Sequence, residues 1–115
     1  MVILAYNTGM RQKVRLWVDD NRHAPEGWLL AKTSKDAINI LLTQQVDEIS
    51  LDYSLAYMEI DTARPILEWM KENYFPAVID VHTGSPSGQA WLVEQIKTHA
   101  PGHLREVYSA FNSNW

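Results

Sequence analysis

Three aspartates and a histidine stand where the chain leaves short apolar runs. Val14-Arg15-Leu16-Trp17-Val18 leads straight into Asp19 and Asp20, with Asn21 and Arg22 behind them. Glu48-Ile49-Ser50-Leu51 ends on Asp52, and Ala77-Val78-Ile79-Asp80-Val81 ends on His82. Open parallel sheets bind ligands just past the carboxyl ends of their strands. If these runs are neighbouring parallel strands, Asp19, Asp20, Asp52 and His82 converge on one edge. Three carboxylates brought that close repel one another, and at neutral pH something must offset the repulsion. Mg²⁺ does so with a few carboxylate oxygens while keeping waters that a phosphate can displace. Such an ion would make Asp52, or a bound water, a usable nucleophile toward phosphorus. Asp19, Asp20 and Asp52 are therefore the candidate metal ligands. Asp52 and His82 are the candidate catalytic groups, the histidine as an acid or base near neutral pH. A lone aspartate at a strand end usually just caps a loop. An acidic pair joined by a second strand-end acid shifts the balance toward chemistry.

Thr83-Gly84-Ser85-Pro86-Ser87-Gly88 follows the histidine at a strand-to-helix turn. Free N–H groups and the helix dipole there favour an anion, and glycines let a backbone approach it closely. Thr83, Gly84, Ser85 and Ser87 thus form a candidate phosphate cradle, though a serine before a proline also starts a helix with no ligand involved. Arg22 either clamps a phosphate bidentately or pairs with Asp19 or Asp20. His23, His99 and His103 have no metal-ligand spacing and read as surface. The tryptophans at 17, 28, 69 and 91 are spread over different elements and read as core or contact residues.

Composition narrows the class. At 115 residues, 46% apolar and 21% charged, the chain can bury one core. A net charge of −4 with no basic stripe argues against nucleic acid as the main partner. The absence of cysteine excludes disulfides and thiolate zinc sites, and fits a reducing cytoplasmic setting. No apolar run approaches the length of a membrane span, so no membrane is expected.

The elements that must position these groups follow from local signals. Val2 to Tyr6 is an apolar appendage, with residues 1–13 preceding a single domain over 14–115. Pro25 and Gly27 make Asn21–Gly27 a loop. Trp28 to Lys32 reads as a short strand. Thr33 caps a helix to about Gln45, with Asp36 at the capping-box position and Ala37, Ile38, Leu41 and Leu42 at helical spacing. Asp61 or Thr62 caps a second helix to about Tyr74, with Pro65 in its first turn and Ile66, Leu67, Trp69 and Met70 as its buried stripe. Ser85-Pro86 starts a third, to about Thr98, before a last strand from Leu104 to Tyr108.

This β-β-α-β-α-β-α-β order predicts an α/β fold with a mainly parallel five-stranded sheet. By alternation, Val14, Leu16, Val18, Ile49, Leu51, Ile79 and Val81 share one face. Arg15, Trp17, Glu48, Ser50, Val78 and Asp80 share the other, which is half polar. Right-handed crossovers with strand order 2-1-3-4-5 put the three helices on a single face. The half-polar face then needs a cover: the N-terminal segment, the aromatic tail (Phe111, Trp115), or a second copy in a homodimer.

An acidic pair after the first strand, an aspartate after the third and Ser/Thr after the fourth resemble a response-regulator receiver domain. LWVDDNRHAPEGWLLAKT, EISLDYSL and VIDVHTGSPSGQAWL are more closely similar to a small receiver-like family, the cyclic-phosphate-processing receiver domain. The resemblance covers about Val14 to Ile96. It implies a flavodoxin-like order without the first helix, and activity on cyclic or terminal phosphates. Two departures bear on chemistry. Ordinary receivers carry a lysine after the fifth strand, whereas Glu106-Val107-Tyr108-Ser109 offers none, so a phosphorelay switch is not expected. The family's third-strand motif usually reads Leu-Asp-His-Asp-Leu, and here Tyr53 and Ser54 replace the histidine and the second aspartate. A milder third departure is Thr-Gly-Ser-Pro where Ser-Ala-Asn-Pro is more usual.

Three functions are compatible with this reading. The first is Mg²⁺-dependent hydrolysis or transfer at a cyclic or terminal phosphate on a nucleotide-like small molecule, a phosphoesterase activity. The second is a binding module that senses or sequesters a phosphorylated nucleotide, which the Tyr53 and Ser54 changes favour. The third is a protein-interaction domain with a vestigial pocket.

Overall fold

The computed structural model describes residues 11–56 and 60–109. Five strands form one parallel sheet: β1 Arg15–Val18, β2 Leu29–Ala31, β3 Glu48–Leu51, β4 Val78–Thr83 and β5 Leu104–Ser109. Their order is β2-β1-β3-β4-β5, the flavodoxin-like arrangement whose switch point lies between β1 and β3. Register aligns Leu16 with Ile49 and Ile79, and Val18 with Leu51 and Val81. All six are fully buried, so the apolar alternation fixes which face meets the helices.

Three helices, α1 Ser34–Thr43, α2 Arg64–Glu72 and α3 Pro86–His99, lie side by side on that face. Ala37 and Leu41 of α1, Ile66, Leu67 and Met70 of α2, and Leu92 and Ile96 of α3 complete the core. Trp69 and Ile38 are half-buried at its margin, and Leu42 is exposed rather than inward. Thr33 Oγ1 accepts the Asp36 N–H at 3.0 Å, as a cap should. No helix connects β1 to β2, and none of the described helices is long and apolar enough to cross a membrane.

The opposite face is polar yet buried. Glu48, Ser50, Asp80 and His82 are each at most 7% exposed. Arg105 spans Glu48 at 2.6 Å and Asp80 at 3.4 Å, while Arg15 reaches Glu48 at 3.4 Å. Trp17 stacks flat on His82 with ring centres 3.8 Å apart, and Trp28 meets Trp17 edge-on at 5.9 Å. The expected covers, Val2–Tyr6 and the tail at Phe111 and Trp115, lie outside the described residues. Arg11 ion-pairs with Asp47 at 2.7 Å, fastening the entry to β1.

Two local expectations need correction. Asp61 does not cap α2; the N-cap residue is Ala63, and Thr62 serves the first turn from one position earlier, its Oγ1 accepting the Arg64 N–H at 3.2 Å. Asp61 instead accepts the Ser34 N–H at 2.8 Å and the Ser34 hydroxyl at 2.6 Å, serving the first turn of α1. The cause is long-range: Ser54 bridges Thr62, Leu55 N–H donates to Asp61 O, and Ala63 N–H donates to Tyr53 O. The β3–α2 segment therefore folds back and carries Asp61 across to α1. The second correction concerns β4, which continues through His82 and Thr83 rather than ending at Val81. Pairing with β5 down to His82↔Tyr108 and Thr83↔Ser109 holds them in the ladder.

Gly88, in the first turn of α3, is seated under the buried Tyr53 ring. A Cβ there would lie 2.5–2.7 Å from Tyr53 ring and Cβ atoms. Gly88→Ala should therefore destabilise the fold by about 1–3 kcal/mol through overpacking, despite alanine's better helix propensity. The midpoint of urea unfolding measures this, and an unchanged or higher midpoint would contradict the packing described.

Candidate functional site

Parallel register delivers the acids to one edge. β1 ends at Val18 and β3 at Leu51, and the Asp52 N–H still pairs with Val18 O at 3.0 Å. Asp19 and Asp52 thus leave adjacent strands at neighbouring levels, with Asp20 beside them. A carboxylate oxygen from each of Asp19, Asp20 and Asp52 lies within 4.8 Å of the others. Asp19 is fully buried, Asp52 half-buried and Asp20 exposed.

Asp19 is the most heavily bonded. Its Oδ1 accepts the backbone N–H groups of Asn21 at 2.8 Å and Arg22 at 2.9 Å. Its Oδ2 meets His82 Nε2 at 3.0 Å and accepts Arg22 Nη1 at 3.4 Å. Burial works to raise its pKa, but the bond from His82 and those from the Arg22 and Asn21 backbone overcome it, and the net shift is downward. Asp52 goes the other way. Burial and the Asp19 charge push its carboxyl up, against a hydrogen bond from the Thr83 hydroxyl and the charges of His82 and Arg22. One acid is thereby held ionised while its neighbour retains its proton more readily, a division of roles seen where acids do chemistry.

The cleft over this cluster has a volume of about 350 Å³ and is lined by Asp19, Asp20, Asn21, Arg22, Asp52, Ser54 and Ala56. All three proposed metal ligands are therefore in it, as is Arg22, whose Nη1 also donates to His82 O at 3.0 Å. The other expected groups are placed differently. His82 is 1% exposed, with Nε2 on Asp19 and Nδ1 on Ser50 Oγ at 2.7 Å. An ionised carboxylate only accepts, so Nε2 donates its N–H to Asp19, while Nδ1 meets the Ser50 hydroxyl, which can serve as donor or acceptor. The histidine thus positions Asp19 from the polar face. Thr83 is buried and holds Asp52, and its Oγ1 also accepts Ser85 N–H at 3.2 Å. Ser85 caps α3 by accepting Gly88 N–H at 3.1 Å, while Gly84 and Ser87 are exposed. Gly84, Ser85 and Ser87 are not among the residues lining the cleft.

Sequence reasoning named neither Ser50 nor Trp17 as a site residue, yet both touch His82. Ser50 and Trp17 have the same strand parity as His82, which is the signal that they would share its face.

Residues 14–98 match the family model described as the cyclic-phosphate processing receiver domain. The chain belongs to that family. A search of curated proteins finds no match. The family segment runs from the residue before β1 into the last turn of α3, and so contains every residue of the acidic cleft. Where the family usually has histidine, Tyr53 is 6% exposed and its hydroxyl accepts Arg64 Nε at 2.6 Å. Where it has a second aspartate, Ser54 lines the cleft.

The opposed shifts of Asp19 and Asp52 make a stability signature. A carboxyl whose folded pKa lies above its unfolded value disfavours folding once pH rises through the window between them. Asp52→Asn should therefore raise the melting temperature of the metal-free protein at pH 7, and the gain should vanish as pH falls to the ordinary carboxylate range. Asp19→Asn should do the opposite, lowering stability at pH 7, because a carboxyl held below its ordinary value stabilises the fold above that range. Melting curves of both variants from pH 3 to 8 check the two signs.

Proposed function

We propose that the domain processes a cyclic or terminal phosphate on a nucleotide-like small molecule, with Mg²⁺ held by Asp19, Asp20 and Asp52. The observation that carries this reading is the meeting of three carboxylates within 4.8 Å in a cleft that Arg22 also lines. The donor set fits the ion: hard oxygens, few in number, one exposed and one whose ionisation is held back by burial and by its neighbour's charge. When bound, Mg²⁺ would offset the carboxylate repulsion and polarise a phosphoryl oxygen.

The chain's own residues supply the rest. Asp19, fixed by His82 and two backbone N–H groups, keeps one carboxylate in place without solvent. Arg22 stands beside it to take phosphate oxygens. Asp52, with its raised pKa, is suited to accept the proton of an attacking water or to ligate. In hydrolysis of a cyclic ester, water adds to phosphorus, one ring P–O bond breaks, and the leaving alkoxide takes up a proton.

Binding without turnover is the second reading. It is favoured by the commitment of both His82 ring nitrogens inside the protein and of the Tyr53 hydroxyl to Arg64. No imidazole is among the residues that line the cleft.

The full chain with Mg²⁺ should be incubated with 2′,3′-cyclic and 3′,5′-cyclic nucleotides and with cyclic dinucleotides, following melting temperature and ³¹P NMR together. A ligand at a hundred times its dissociation constant adds about 2.7 kcal/mol, several degrees in a domain of this size. Conversion lost in Asp52→Asn supports the enzyme, and stabilisation with an unchanged ³¹P spectrum supports the binding module. No response to Mg²⁺ or to any of these compounds would overturn both.

A further inference from the structure

We propose that Arg64 is an anion-recognition residue on the rim of the acidic cleft, taking a second phosphate of the ligand. The inference rests on the phosphate reading of that cleft and extends it to a substrate class, small molecules bearing at least two phosphates.

Arg64 is the first residue of α2. In a parallel sheet with crossover helices, the helix that follows a strand starts at that strand's carboxyl end. Arg64 therefore stands at the edge that carries Asp19, Asp20 and Asp52. It is also tied, through Tyr53, to the chain segment that contributes Asp52 and Ser54 to the cleft. Tyr53 sits between Asp52 and Ser54, both of which line the cleft, and the Ser54–Thr62 bridge folds the chain back so that Arg64 reaches Tyr53.

The guanidinium is held by one nitrogen and two rings. Nε donates to Tyr53 Oη at 2.6 Å, and the guanidinium carbon lies 4.5 Å from the Trp91 ring centre and 5.8 Å from that of Tyr53. Tyr53 cannot drift, because its ring rests on Gly88. Stacking and the Nε bond fix the plane of the fork while leaving its terminal nitrogens uncommitted. Arg64 is exposed, and among the described residues neither Nη atom has a hydrogen bond or an ion pair. Its setting also favours an anion. The first turn of α2 has no acidic residue, and the Thr62 hydroxyl that accepts the Arg64 N–H at 3.2 Å is neutral, so a cation sits at the positive end of the helix dipole without a charged cap. A pre-ordered arginine of this kind loses little freedom on binding a phosphate.

The arrangement turns a departure from the family pattern into a consequence. Tyr53 replaces the usual histidine, and its hydroxyl positions Arg64.

Isothermal titration of the full chain at fixed free Mg²⁺, with inorganic phosphate and with tripolyphosphate as probes, tests this. Arg64→Gln should weaken tripolyphosphate about tenfold, the loss of a charge-assisted hydrogen bond, and leave inorganic phosphate unchanged. Tyr53→Phe keeps the ring on Gly88 and should weaken tripolyphosphate less, while Asp52→Asn should weaken both probes. A melting temperature of the probe-free Arg64→Gln protein close to wild type separates recognition from mere fastening of Tyr53 and Trp91. If Arg64→Gln leaves tripolyphosphate affinity unchanged, or weakens both probes equally, the assignment of Arg64 falls while the cleft reading stands. If wild-type protein binds neither probe, the cleft reading fails and takes this proposal with it.

Discussion

A carboxylate with no solvent-exposed surface has to be solvated by the protein, and Asp19 is that carboxylate. Two backbone N–H groups, an imidazole and a guanidinium do the work of water around it. Each donor makes a demand on the fold. The backbone donors require the turn at Asn21 and Arg22 immediately after β1. The imidazole requires β4 to stay in the ladder two residues past Val81, so that His82 lies on the same face as Trp17 and Ser50. Were β4 to end earlier, the ring would leave its stack and Asp19 would face burial without its imidazole donor.

Fixing Asp19 as an ion sets the character of its neighbours. Burial, joined by that charge, raises the Asp52 carboxyl above its ordinary value, and Thr83 answers from β4 with a hydroxyl. The cluster is consequently strained electrostatically in a way that a cation relieves. Sites that bind or react often retain such strain at the expense of stability. Asp20, exposed at the cleft mouth, completes the set without the same desolvation.

The framework was legible because it depends on short-range pattern. Alternation in Val14–Val18, Ile49–Leu51 and Ile79–Val81 gave strands and faces, and Thr33 and Ser85-Pro86 gave two helix starts that the structure keeps. The acids were legible by strand-end position alone. What was not legible depends on partners distant in sequence. Nothing near Asp61 announces that it serves Ser34 across 27 residues, and nothing near Gly88 announces a tyrosine above it. His82 stands in the sequence as the group on which a strand over Ala77–Val81 ends, yet pairing with β5 keeps it in the sheet. The hydroxyls after it looked like a phosphate cradle because Ser, Thr and Gly serve both purposes. In the fold Ser85 is engaged by its own helix and Thr83 by Asp52.

The absent helix between β1 and β2 ties these observations together. In a doubly wound fold that helix would lie on the face carrying Trp17, Ser50 and His82, and would demand apolar residues there. A loop needs none, so the face can hold a histidine bonded on both nitrogens and a lattice of Arg15, Glu48, Arg105 and Asp80. The acids of this lattice are buried while both arginines are exposed, so the pairs contribute little net stability but removing an arginine strands a buried carboxylate, which makes the lattice a constraint on register more than a source of cohesion. Cohesion comes from the helix side, where the buried aliphatic residues gather. The two faces thus divide the labour: one holds the sheet together, and the other, freed of a helix, supplies the imidazole that lets Asp19 remain ionised at the edge.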